Sequence, residues 1–131
     1  MPSMPPELRG LRILVVEDNF LMAESVRDLL DECGCETVGP APRLEVALEL
    51  ASHELLDGAL LDINLAGEYC FPVARLLRER GVPFMFLTGY DDCSIVSIVP
   101  VAFQDAPRLS KPFDRLEVAV TAARHFVPTP S

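Results

Sequence analysis

Glu17 and Asp18 are adjacent acids that follow the apolar run Ile13–Val16. Asp62 ends a second apolar run, Thr88 follows a third, and Lys111 comes shortly after a fourth. The gaps are 44 residues from Asp18 to Asp62, then 26 to Thr88 and 23 to Lys111. Singly, none of these is specific. An acid pair after a strand commonly caps a helix, a strand-end Asp or a Thr-Gly step commonly makes a turn, and Lys-Pro is commonly solvated loop. Brought together, three carboxylates, a hydroxyl and an ammonium would suit phosphoryl transfer. Crowded carboxylates repel, and one of them would take up a proton unless a cation resolves the conflict. All-oxygen ligation with few carboxylates suits Mg²⁺, which keeps several waters and seeks phosphate oxygens. A carboxylate can attack phosphorus to give an aspartyl phosphate. Mg²⁺ on one side and the Lys111 ammonium on the other would neutralise the transferring group, with the Thr88 hydroxyl donating to a phosphoryl oxygen. Gly89 would keep access open.

These residues converge only if the elements between them alternate correctly. Arg12–Val16 reads as a buried strand, being short, apolar and β-branched. Asp18 or Asn19 can cap the following helix, Phe20–Glu32, whose apolar face is Met22, Val26, Leu29, Leu30 and Cys33. Gly34 ends it. Glu36–Val38 is a second strand, with Gly39-Pro40-Ala41-Pro42 as a turn. A helix over Leu44–His53 presents Leu44, Ala47, Leu48 and Ala51 inward. Gly58–Ile63 is the third strand, followed by a helix over about Tyr69–Arg80 that Gly81 stops. Pro83–Leu87 is the fourth strand, and Pro107–Leu109 a short fifth. A fourth helix over Asp92–Val99 is expected, broken by Pro100, and Asp114 caps a last helix to about Phe126. Nearly all-apolar strands alternating with helices five times predict a parallel sheet covered on both faces, a doubly wound α/β sandwich. Right-handed crossovers place the strand ends on one edge, where such folds bind ligands.

The 131 residues suffice for one domain. Residues 1–10 read as a flexible tail, 11–126 as the domain and 127–131 as a second tail. A net charge of −9 disfavours nucleic acid and anionic membrane surfaces. No apolar run is long enough to span a bilayer, and the Pro-rich start lacks a secretory h-region. Cys33 and Cys35, one residue apart, match neither zinc nor redox spacing, and Cys70 and Cys93 stand alone. Four reduced, mostly buried thiols in a cytoplasmic protein are expected.

With these residues in place, the chain resembles a response-regulator receiver domain of two-component signalling over about residues 11–126. The resemblance implies a flavodoxin-like (βα)5 sandwich with a five-stranded parallel sheet in the order 2-1-3-4-5. It implies that Glu17 and Asp18 form the acidic pocket for Mg²⁺, that Asp62 in Leu60-Leu61-Asp62-Ile63-Asn64-Leu65 is the phosphoacceptor, and that Asn64 offers its backbone carbonyl to the metal. Thr88 is then the switch hydroxyl and Lys111 the lysine that contacts the phosphoryl group, with Lys111–Pro112 expected to be cis. One departure stands out. Receivers usually place Tyr or Phe three residues before the lysine, where this chain has Arg108. Pro83-Phe84-Met85-Phe86-Leu87-Thr88-Gly89-Tyr90 is similar to a receiver subgroup whose fourth strand ends Phe-Ala-Thr-Gly-Tyr. This makes Tyr90, beside Arg108, a candidate switch residue.

Other chemistries fit less well. A haloacid-dehalogenase-type hydrolase needs a second acid two residues after its nucleophile, where Asn64 stands. No Gly-x-Gly-x-x-Gly or P-loop follows the first strand. His53 and His125 do not suggest a Ser-His-Asp triad. The implied partners are a histidine kinase or histidine phosphotransfer protein and an output protein reached through the face of the fourth helix, fifth strand and fifth helix. Residues 95–103 are apolar enough there to suggest a partner or homodimer contact. Too few residues follow the fifth strand for a DNA-binding output domain. Signalling is expected by protein–protein contact or as a phosphate sink, with catalysis limited to the protein's own phosphorylation and dephosphorylation. The alternatives are a phosphorylation-independent scaffold and a receiver module of a hybrid kinase.

Overall fold

The computed structural model describes residues 4–88, 99–110 and 113–127. The elements in chain order are β1(Arg12–Val16), α1(Phe20–Glu32), β2(Glu36–Ala41), α2(Leu44–His53), β3(Gly58–Asp62), β4(Asn64–Leu65), β5(Glu68–Tyr69), α3(Phe71–Glu79), β6(Phe84–Thr88), β7(Arg108–Ser110) and α4(Arg115–Phe126). The main sheet runs β2-β1-β3-β6-β7, all pairs parallel. Counting only its own strands, that is the order 2-1-3-4-5 of a flavodoxin-like sandwich.

Successive strand residues point to opposite faces, so each apolar strand feeds two cores. Leu14, Val16, Leu61 and Phe86 pack with Ala47, Ala51, Val73 and Leu77 of α2 and α3. Ile13, Val15, Leu60, Met85 and Leu87 pack with Val26 and Leu29 of α1 and with Val118, Ala122 and Phe126 of α4. The central strands are therefore buried on both sides, which is why β3 and β6 have no exposed position.

Local signals set several boundaries directly. Asn19, not Asp18, caps α1, its Oδ1 accepting from the Met22 N–H at 3.0 Å. Gly34 ends that helix at φ +78°. Asp114 caps α4, its Oδ1 accepting from the N–H groups of Leu116 and Glu117 at 2.8 and 3.2 Å.

Other boundaries differ from expectation. The expected turn at Gly39-Pro40-Ala41-Pro42 is in part strand. β2 continues through a cis Gly39–Pro40 bond until Ala41 pairs with Val16, and an irregularity in the β1–β2 register absorbs the kink. A proline is tolerated because β2 is an edge strand. The stretch after Asp62 forms a hairpin, β4–β5, where a helix had been expected to start at Tyr69. Its turn residues Ala66 and Gly67 have φ +51° and +94°, and the Asn64 Oδ1 accepts from the Gly67 N–H at 2.9 Å. Pro72 then opens α3. Pro83 and Pro107 flank their strands rather than start them; their carbonyls accept from Ala59 and Phe86, but neither ring nitrogen can donate. Ahead of β1, Pro6–Leu8 forms a 3-10 turn where a flexible tail was expected, with Leu8 only 1% exposed.

The expected fourth helix falls almost wholly on residues outside those described, as do Gly89, Tyr90, Cys93 and the Lys111–Pro112 bond. Within the apolar run 95–103, Val99 and Phe103 are core residues, which removes them from the proposed contact patch, whereas Val101 is exposed.

Candidate functional site

The C-terminal ends of β1 and β3 lie side by side because Val16 pairs with Leu61. Each strand hands its next residue to the same edge: Glu17 from β1, Asp62 from β3. Glu17 is held by its N–H, which donates to the Ala41 carbonyl at 3.0 Å, so the extended β2 positions the acid directly. Its carboxylate accepts from the Asn19 N–H at 3.1 Å. With Asn19 serving as the cap, Asp18 can face the cluster instead. Glu17, Asp18 and Asp62 bring one carboxylate oxygen each to within 4.8 Å of one another. Glu17 and Asp62 are buried and Asp18 is exposed. A groove of about 290 Å³ opens beside Glu17 and Asp18, lined also by Phe20, Ala23, Pro40 and Pro42.

Asp62 accepts from the Asn64 N–H at 3.4 Å, which ties the hairpin to the carboxylate. The Asn64 side chain is occupied in the hairpin turn. Thr88 is buried and comes one residue after Leu87, the register partner of Asp62. It faces Ser110 of β7 across the ladder. Lys111 and Tyr90 lie outside the described residues. Arg108 pairs with Phe86, two residues before the Thr88–Ser110 pair, and so shares its face. Its Nη1 is buried and has no hydrogen-bond partner among the described residues.

Sequence reasoning expected Cys70 as a buried thiol but not its place beside Asp62. It sits fully buried ahead of α3, its N–H donating to the Ile63 carbonyl at 2.9 Å. Burial pushes its thiol well above the ordinary range, and the Asp62 carboxylate pushes the same way. Nothing in its spacing marks it, because its proximity to Asp62 depends on the hairpin. Cys33 and Cys35 are also reduced and buried, as expected. His53 and His125 are exposed at the ends of α2 and α4 and do not join the cluster.

Three oxygens of like charge at this separation favour a hard cation, and the donor set contains neither thiolate nor imidazole. The residues present fit Mg²⁺. A carboxylate held beside such an ion, with a buried hydroxyl one register step away, can accept a phosphoryl group and have the added charge met locally.

Comparison with known proteins points the same way. The family model described as response regulator receiver domain matches residues 13–122. The sensory transduction protein LytT of Bacillus subtilis is 28% identical over 118 residues, covering 88% of this chain and 48% of that protein. The chain thus spans about half the length of the curated relatives it matches first. Among solved structures, SdrG from Sphingomonas melonis Fr1 is 36% identical with a TM-score of 0.73, covering 88% of this chain and 97% of that one. The receiver domain of a sensor histidine kinase from Pseudomonas aeruginosa PAO1, solved with a magnesium ion coordinated in its active site cleft, has a TM-score of 0.77 at 24% identity. That match covers 90% of this chain and 98% of that one. No helix among the described residues is long and apolar enough to cross a membrane.

Proposed function

The chain belongs to the response regulator receiver domain family, and on that footing we propose that it accepts a phosphoryl group on Asp62 from a histidine kinase or histidine phosphotransfer protein. Receiver domains of two-component systems interact with such donors. The observation that carries the reading is the convergence of Glu17, Asp18 and Asp62 within 4.8 Å, with Thr88 buried at the same sheet edge.

Glu17, Asp18 and Asp62, with the Asn64 backbone carbonyl, are the residues that would hold Mg²⁺. Bound there, the ion would neutralise the carboxylates and the phosphoryl oxygens of the incoming group. A carboxylate oxygen of Asp62 attacks phosphorus; the new O–P bond forms as the P–N bond of the donor phosphohistidine breaks, and the released imidazole takes up a proton. Thr88 donates its hydroxyl to a phosphoryl oxygen, and Lys111 supplies the compensating cation. Arg108, with a buried guanidinium nitrogen on the Thr88 face, and Tyr90 are the candidate switch residues. Water later hydrolyses the acyl phosphate and restores the Asp62 carboxylate. The chain acts catalytically on itself alone, in the cytoplasm, and passes its signal by protein–protein contact or serves as a phosphate sink.

The test is intact-protein mass after incubation with acetyl phosphate and Mg²⁺, alongside a phosphohistidine donor protein. A gain of one phosphoryl group, absent in Asp62→Asn and in EDTA, supports the reading. No gain from either donor overturns it in favour of a phosphorylation-independent scaffold.

A further inference from the structure

Five aromatic rings form one connected stack on the α2–α3 side of the sheet. Tyr69 stacks on Phe71 with centroids 5.6 Å apart. Phe71 stacks on Phe103 at 6.2 Å and meets Phe86 edge-on at 6.0 Å. Phe84 closes the circuit, 5.4 Å from Phe86 and 5.9 Å from Phe103. One end of this stack is in the hairpin beside the site: Tyr69 pairs with Asn64, whose N–H donates to Asp62. The other end is Phe103, in the 3-10 turn Val101–Phe103 that leads towards β7. β7 itself contributes Arg108, Leu109 and Ser110 and no ring.

Among the described residues, the Arg78 side chain holds the turn from outside. The Arg78 guanidinium lies 5.1 Å from the Phe84 centroid and 5.5 Å from that of Phe103. Its Nη1 donates to the Ala102 carbonyl at 2.6 Å and to Asp105 Oδ1 at 3.2 Å. Val101, at the tip, is 84% exposed, while Phe103 two residues on is 3% exposed. The turn is thus a surface element anchored by a ring that belongs to the stack.

We propose that this aromatic stack carries the state of Asp62 to the surface at Val101–Asp105. The proposal concerns the regulation of the same site and rests on Asp62 being the phosphoacceptor. A phosphoryl group adds charge and bulk at the carboxylate that the Asn64 N–H contacts, so the β4–β5 hairpin must adjust. Tyr69 and Phe71 follow the hairpin. Phe71 touches both Phe86 and Phe103, and packed rings shift between discrete arrangements instead of deforming smoothly. Phe103 then re-seats, and Val101 and Ala102 move with it against the Arg78 clamp.

Amide hydrogen exchange in the full chain tests this, with phosphorylation by acetyl phosphate and Mg²⁺ scored separately by intact mass. The reporters are the N–H groups of Phe103, Gln104 and Ala106, which donate to Pro100, Val101 and Phe103. In the wild type their exchange rates change on phosphorylation. In Phe71→Leu the extent of phosphorylation is retained, but the rate change at these amides shrinks at least about twofold. Tyr69→Leu removes a ring that is 46% exposed and leaves the core intact, so it reads the same coupling if Phe71→Leu fails to fold. An undiminished rate change in a phosphorylated variant overturns the relay and leaves Asp62 as phosphoacceptor. A wild type that takes no phosphoryl group overturns both.

Discussion

Phe126, the last residue of α4, packs so closely on Gly58, the first residue of β3, that a Cβ on Gly58 would stand 2.5 Å from its Cδ2 and 2.6 Å from its Cγ. Gly58 is required here for space, since its φ is ordinary. The contact seats the end of α4 against the sheet from below, opposite the edge that carries the acids. Gly58→Ala should therefore cost about 1–3 kcal/mol, because the buried ring must shift. Urea denaturation would show it. Combining it with Phe126→Leu should cost less than the sum of the two single changes, since they share one contact.

The acid cluster predicts opposite effects of one substitution with and without metal. Asp18→Asn relieves repulsion among three carboxylates, so in EDTA it should raise stability, by up to about 1 kcal/mol for this exposed group. In Mg²⁺ the wild type should gain about 2.7 kcal/mol at a concentration one hundredfold above its dissociation constant, and the variant less. Thermal denaturation in the two buffers would reveal the crossover. A variant stabilised by Mg²⁺ as much as the wild type would exclude Asp18 from the site.

Asp114 accepts from two N–H groups that would otherwise lack partners at the start of α4. Asp114→Ala should cost about 1 kcal/mol, and Asp114→Asn much less, since the amide oxygen can cap as well. The two denaturation midpoints decide this. Equal losses would mean that charge at the helix terminus, and not the cap bond, is what stabilises.

The buried thiols predict a stability loss in alkali. Burial pushes Cys35 from 9.0 to about 11, with Cys33 adding to the shift, and its Sγ donates to the Leu8 carbonyl at 3.2 Å. Burial also raises Cys33 and Cys70. The folded chain holds these protons more tightly than the unfolded chain does. Their contribution is therefore complete below pH 9.0 and declines as the pH rises towards 11. Denaturation midpoints across that window should fall, and less steeply in Cys35→Ala. In the native state near pH ~8, alkylation of all three should be slow and should become fast in denaturant.

Much of the fold was legible because its signals are local. The bounds of β1, α1 and α2 coincide with those read from apolar periodicity, caps and the glycine stop, all of which act within a turn or two of chain. The alternation of apolar strands with helices pointed to a parallel, doubly wound sheet, since parallel neighbours need crossovers of one hand, while the strand order was what the family resemblance implied. The identities of Glu17, Asp18 and Asp62 were legible as strand-end acids for the same reason.

What the tertiary structure alone decided depends on partners distant in sequence. β2 runs on through Gly39 and Pro40 because Val16 and Glu17 offer pairing sites to Ala41, and no local pattern around two prolines announces that. The 64–69 stretch becomes a hairpin that moves the start of the following helix from about Tyr69 to Phe71, built by αL-type turn residues and the Asn64 side-chain bond. Leu8 is core and not tail because α1, α4 and Cys35 leave an apolar seat for it. Sequence named the acids, but their approach to within 4.8 Å belongs to the packed sheet: the parallel register of β1 on β3 overcomes the repulsion of their charges.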